Sequence, residues 1–169
     1  MTAINEEELN LEALQRLIDL EEIRQVQLNY AAANELLDID ALMELFTEDA
    51  VLVYPEEYGG DWVGSDVIRE NFAYWMKEEK APFNALYVIT NPHTKITGPG
   101  TATGRWTFTN YLTVQGDAGP LVTPGGADHP LFILGMYEAD YQKVNKTWKI
   151  ARMKLTSFWP ERDYTQLMH

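Results

Sequence analysis

The stretch from Leu131 to Trp159, LFILGMYEADYQKVNKTWKIARMKLTSFW, restricts the fold more than any other part of this chain. Two strand-forming runs flank the turn dipeptide Asn145-Lys146, a pattern that predicts a long antiparallel hairpin. Strands of this length can form the curved wall of a pocket, and aromatic residues are spaced along both arms.

The strand pattern begins earlier. Leu86–Thr90 and His93–Thr97 read as strands, Gly98-Pro99-Gly100 as a turn, and Thr101–Val114 as another long strand. The first half of the chain is helical instead. Leu11, Leu14, Ile18, Ile23, Val26, Tyr30, Ala33 and Leu37 keep a broadly helical spacing, which predicts one long helix with an apolar stripe and Tyr30 facing inward. Asp38 is suited to cap a second helix, IDALMELF, with Ile39, Leu42 and Phe46 on its buried side. A short strand, Val51–Tyr54, and a Gly59-Gly60 loop carrying Trp62 follow. Ser65 is suited to cap a third helix whose Ile68, Phe72, Trp75 and Met76 make a core face. Helices first and strands afterwards mean α+β, with N-terminal helices packed on a strongly curved antiparallel sheet. Residues 115–130, rich in Gly and Pro, are too long for a tight hairpin and read either as a flap over a pocket or as an oligomer contact.

The 169 residues are expected to form a single domain, 1–169, with its core between residues 11 and 160. A chain of this size buries about 70% of its unfolded surface and can surround an internal cavity. The formal charge of −13 argues against nucleic acid and against anionic membrane surfaces, both of which select clustered Lys and Arg. With no cysteine there is no disulfide frame, thiol nucleophile or Cys-based metal site. No apolar run approaches the ~20 residues that span a bilayer. The N-terminal MTAINEEELN lacks the basic start and apolar centre of a signal peptide, so a cytoplasmic location is expected. His93, His129 and His169 are too dispersed for a metal site, and P-loop, GxGxxG and GxSxG elements are missing, so no metal or cofactor is expected.

Several ordered pieces carry a family resemblance: YAAANELLDIDALMELFTEDAV, VGSDVIRENF, LYVITNP, GTATGRWTF and GMYEADYQKVNKTWKIARMKL. Together they span nearly the whole chain, from Leu14 to Pro160, and the sequence resembles the scytalone-dehydratase-like branch of the SnoaL/NTF2-like superfamily. The resemblance implies a closed-bottom cone lined by aromatics, catalysis by a carboxylate and a histidine without cofactor, and assembly into dimers or trimers. Tyr30 matches a pocket tyrosine of the relatives, Glu35 falls at their catalytic aspartate, and Tyr54 matches a tyrosine that orients a substrate carbonyl or water. Tyr87 stands where they carry the catalytic histidine, Tyr137 where they carry a pocket asparagine, and Arg152 where some place a cationic or imidazole side chain facing the ligand. A tyrosine, with an ordinary pKa near ~10, cannot replace imidazole as a reversible proton carrier at neutral pH, although it can donate a hydrogen bond.

The residues themselves leave two kinds of role open. On GRWTFTNYL, Trp106, Phe108 and Asn110 share one strand face, read as the pocket side or as ordinary core. Tyr30, Tyr54, Tyr87 and Tyr137 either present hydroxyls around an aromatic ligand or send them to water. Glu35 is a general base, its pKa raised by burial toward ~6 to 7, or a structural ion pair. Arg152 stabilises an anionic substrate group or pairs with Glu35 or Glu138. His129 closes over substrate from the 115–130 flap or is an exposed loop histidine. The function expected is a cofactor-independent lyase of dehydratase type, or an isomerase, acting on a hydroxylated aromatic or polyketide-like small molecule. A formaldehyde-releasing lyase on lignin-derived diaryl compounds and a non-catalytic binding or assembly protein are the alternatives.

Overall fold

The computed structural model describes residues 6–56, 59–74, 76, 83–114 and 131–159. Three helices, α1 (Glu6–Glu35), α2 (Ile39–Met43) and α3 (Ser65–Ala73), pack against a curved, unclosed sheet of six strands. The strands are β1 (Phe46–Val53), β2 (Trp62–Val63), β3 (Phe83–Gly98), β4 (Thr101–Val114), β5 (Leu131–Val144) and β6 (Thr147–Trp159), in the order β2-β1-β6-β5-β4-β3. The expected α+β architecture is therefore present, but the sheet is mixed, because β1 runs parallel to β6. Among the described residues no helix is long and apolar enough to cross a membrane.

The predicted hairpin forms as β5–β6. Asn145 and Lys146 adopt φ 50 and 70, the double left-handed geometry of the tight turn whose twist matches that of flanking strands. Pro99-Gly100, with Gly100 at φ 76, closes β3 onto β4. The two strands predicted before it are one continuous strand. Asn91 takes φ 52 and absorbs a register shift between Thr90 and His93, so the chain passes Pro92 without leaving the sheet. Pro92 is tolerated because β3 is an edge strand.

The helices depart from expectation in three places. On α1 only the second half of the apolar stripe is buried: Ile23, Val26, Tyr30 and Ala33 are covered, whereas Leu11, Leu14 and Ile18 are exposed. Helix α2 stops at Met43, and Phe46 is buried from the start of β1 rather than from a helix. Ser65 is the first residue of α3, and the cap position is taken by Gly64 at φ 88 with no side-chain bond. Asp38 caps α2 as predicted, accepting the Ala41 N–H at 3.0 Å.

Helix α1 ends abruptly. Leu37 turns left-handed at φ 54, and the N–H groups of Leu37 and Asp38 bond back to the carbonyls of Asn34 and Ala33. This crossed pair of bonds is a Schellman ending built on leucine instead of glycine. It fixes Glu35 in the last turn, beside β3, on which α1 packs.

Candidate active site

Alternation along the strands sends one set of side chains beneath the helices. Trp106, Phe108 and Asn110 of β4 and Tyr137, Ala139 and Tyr141 of β5 are all buried, so the face expected to be internal is the internal one. Trp106 pairs across the ladder with Tyr137, Phe108 with Gly135, and Asn110 with Tyr87. The Phe108 ring stacks on Tyr137 at 4.7 Å and on Tyr87 at 6.1 Å between centroids. Tyr30, delivered by α1, meets Tyr137, Trp106 and Tyr87 edge-on at 5.5, 6.4 and 6.5 Å. Tyr54, just past the end of β1, lies against Trp62 at 4.4 Å. Five of the predicted aromatics and Tyr54 thus form one continuous cluster.

Three hydroxyls converge within it. The Tyr30 hydroxyl donates to Tyr137 Oη at 3.3 Å, and Tyr54 and Tyr30 hydroxyls are also 3.3 Å apart. Tyr30 has a single proton, already directed at Tyr137, so Tyr54 is the donor of the second bond. The Tyr54 and Tyr137 hydroxyls also interact with each other, so the three form one mutually bonded group. At 3.3 Å these bonds are longer than the ~2.7 Å optimum for hydroxyl pairs, so a ligand oxygen can recruit the hydroxyls. Burial pushes all three phenols well above their ordinary range, while hydrogen bonds to the neighbouring hydroxyls act in both directions. They are neutral donors at any physiological pH, not bases.

Glu35 is half-buried, and its Oε1 accepts the backbone N–H of Tyr87 at 2.8 Å. This N–H belongs to edge strand β3, so the carboxylate occupies a place that a further strand would otherwise fill. The bond orients the carboxylate beside the ring of Tyr87.

Arg152 is not brought to the cluster. Strict alternation from Trp148 and Ile150 would carry it inward, but the β5–β6 register shifts between Asp140 and Tyr141. Asp140 pairs with Arg152 and Tyr141 with Ile150, which places Met153 inside and leaves Arg152 exposed beside Asp140 on the outer face. His93 is exposed on β3. His129, the 115–130 flap, Trp75 and His169 lie outside the described residues.

Some participants were not anticipated. Gln27 is fully buried and donates to the Tyr141 hydroxyl at 3.0 Å. Asn34 donates to the Tyr30 carbonyl at 2.7 Å. Gln27, Tyr30 and Asn34 recur at three and four residues on the buried face of α1, a polar pattern that the helical spacing already contained. Gly135 leaves room for the Phe108 ring, which its register partner would otherwise obstruct. Trp106 Nε1 and Asn110 Oδ1 are buried without a hydrogen-bond partner among the described residues. A separate open groove of about 530 Å³ lies between the α1–α2 corner and α3, where Arg69 is tied to Asp40 at 2.6 Å; it is lined by none of the predicted site residues.

Comparison with known proteins agrees with this architecture. A candidate scytalone dehydratase from Novosphingobium aromaticivorans superposes with TM-score 0.69 at 16% identity, covering 84% of this chain and 85% of that one. A hexachlorocyclohexane dehydrochlorinase, LinA-type3, from Novosphingobium barchaimii gives 0.67 at 15% identity, with 87% and 91% covered. A ketosteroid isomerase-like protein from Erwinia carotovora atroseptica gives 0.64 at 20% identity, with 84% and 98% covered. These likenesses are of fold, and none of the curated proteins matches in sequence. The family model of the SnoaL-like domain matches residues 15–154, most of the chain and all of the described aromatic cluster, and the protein belongs to this family.

Proposed function

We propose that this protein is a cofactor-independent lyase or isomerase acting on a hydroxylated aromatic or polyketide-like small molecule. The observation that carries the reading is the group of three buried, mutually bonded hydroxyls of Tyr30, Tyr54 and Tyr137, set in a wall of stacked rings. A ring-bearing substrate finds flat apolar partners there, and its oxygen accepts the Tyr137 proton. Neutral donors held in a dry site stabilise negative charge that develops on that oxygen when a neighbouring proton is removed. Glu35 is the base in this scheme: Oε1 is steadied by the Tyr87 N–H, which leaves the other oxygen to take the proton. Return of the proton to another carbon gives isomerisation, and loss of a β-hydroxyl as water gives elimination. Tyr87 contributes its ring beside the substrate, and Tyr30, Tyr54, Trp106, Phe108 and Tyr137 form the walls. Exposed Leu86, Val88 and Tyr111 on the outer face suit a homo-oligomer in which copies meet away from the chamber.

The competing reading, a binding protein without catalysis, is favoured by one fact: the Glu35 carboxylate already serves the backbone of β3. Turnover of a panel of hydroxylated aromatic ketones separates the two. Tyr137→Phe is expected to lower kcat by about 10²–10³-fold, the loss typical of one oxyanion donor. Glu35→Gln is expected to abolish turnover while the ligand still binds. Unchanged turnover in Glu35→Gln removes Glu35 from the mechanism, and tight binding without turnover in the natural protein establishes the binding reading.

A further inference from the structure

Two polar atoms of the same aromatic cluster stand apart from the tyrosine hydroxyls. Trp106 Nε1–H, a donor, and Asn110 Oδ1, an acceptor, have no hydrogen-bond partner among the described residues, although their residues are only 1% and 3% exposed. An unpaired buried polar group leaves its desolvation uncompensated, and natural proteins retain few of them without a use. Hydrophobic replacements of similar size would relieve that cost. The two residues lie on one face of β4 with Phe108 between them, about 13 Å apart along the strand. Asn110 stands opposite Tyr87, at the level where Glu35 is anchored, and Trp106 stands opposite Tyr137, one of the three bonded hydroxyls.

Resting on the reading given above, we propose that Trp106 and Asn110 recognise the two ends of one elongated, fused- or linked-ring substrate. The end near Tyr137 carries an acceptor oxygen, which receives the indole N–H as well as the tyrosine proton. The far end carries a hydroxyl, which donates to Asn110 Oδ1. Phe108, on which Tyr87 now stacks, is the surface on which the ring system lies once that ring withdraws. Both polar atoms are covered by the surrounding rings, so a ligand must displace one ring to reach them. Tyr87 is the one placed to yield, being only half-buried and borne on edge strand β3. The substrate class is thereby narrowed from any phenolic compound to a two-ended one, with acceptor and donor on opposite rims.

The test is calorimetric binding of four probes: chromone hydroxylated on the ring remote from its carbonyl, chromone itself, naphthol and naphthalene. The hydroxychromone is expected to bind about tenfold more tightly than chromone or naphthol. Asn110→Leu should erase its advantage over chromone and leave chromone binding unchanged. Trp106→Phe should erase its advantage over naphthol. Because Asn110 Oδ1 has no partner among the described residues, Asn110→Leu should melt close to the natural temperature. Equal affinities for the four probes, no binding of the hydroxychromone, or a strongly destabilised Asn110→Leu protein each overturn the proposal. Glu35→Gln, carried through the same titrations, keeps the probe preferences if recognition is right and catalysis wrong. Turnover lost in Glu35→Gln without any probe preference shows the reverse.

Discussion

Gly135→Ala tests whether the aromatic floor is as closely fitted as its geometry implies. A Cβ at position 135 would lie 2.5 Å from both Cε1 and Cζ of Phe108 and 3.0 Å from the Thr156 carbonyl oxygen. Carbon atoms settle at about 3.5–4.0 Å, so the ring must retreat by roughly 1 Å or more. Its retreat presses into the rings stacked on it, because Phe108 is buried against Tyr137 and Tyr87. The methyl cannot lean the other way, because the Thr156 oxygen belongs to the backbone of β6. Overpacking of this kind costs about 1–3 kcal/mol, and the smaller conformational freedom of alanine in the unfolded chain returns about 0.4–1 kcal/mol of it. A net loss of about 1–2 kcal/mol lowers Tm by roughly 2–8 °C for a domain of this size. Urea unfolding measures the free energy directly, and the double variant Gly135→Ala/Phe108→Leu supplies the control, since a smaller side chain releases the clash. The reasoning is refuted if Gly135→Ala unfolds at the natural urea midpoint, or if the double variant is destabilised by the sum of its two single losses.

Two further expectations concern pH. Tyr30, Tyr54 and Tyr137 have folded pKa values raised by burial, so their stabilisation is complete below an unfolded value near ~10 and is lost as pH climbs above it. Of the nine tyrosines, these should stay un-ionised in an ultraviolet titration until the fold is lost, each steepening the alkaline decline by about 1.4 kcal/mol per pH unit; ionisation of all nine near pH ~10 with intact secondary structure contradicts this. Asp19 moves the other way: burial acts to raise its carboxyl, but hydrogen bonds from Lys143 at 2.5 Å, Trp148 at 3.1 Å and Gln15 at 3.2 Å outweigh it and hold it below its usual range. Its folded pKa is lowered, so the stabilisation is present above about 3.9 and disappears as pH falls through the folded value. Asp19→Asn should cost about 1.5–3 kcal/mol at neutral pH by denaturant unfolding and little in strong acid, and an equal loss at both pH values would exclude this tether between α1 and the β5–β6 hairpin.

The parts of this fold that were legible in the sequence are those set by local chemistry. Asn145-Lys146 turns because both residues tolerate a left-handed backbone, Asp38 caps because its carboxylate reaches an orphan N–H, and Trp106, Phe108 and Asn110 share a face because strands alternate. The misreadings occur where one element's phase depends on another. Arg152 follows the inward rhythm of Trp148 and Ile150 until a register shift against β5 reverses it, and the sequence of β6 alone carries no mark of the shift. Leu11, Leu14 and Ile18 keep the helical spacing of Ile23, Val26 and Tyr30, but the sheet does not extend beneath them. Spacing reports which residues share a face, and only the neighbour decides whether that face is covered.

The same distinction explains why the tyrosines could be nominated but their roles could not. Three segments had to be brought together before the hydroxyls of Tyr30, Tyr54 and Tyr137 could be seen to bond one another. Tyr87 illustrates the consequence: its backbone, not its hydroxyl, holds Glu35, a function that no side-chain identity at position 87 encodes. A substitution such as Tyr87→Phe should accordingly leave the carboxylate anchored, whereas proline at that position would remove the N–H and release it. If Glu35 is the base, Tyr87→Phe keeps most of the activity and the proline variant loses it. The catalytic geometry would then depend on the edge of a sheet as much as on the residues that line the chamber.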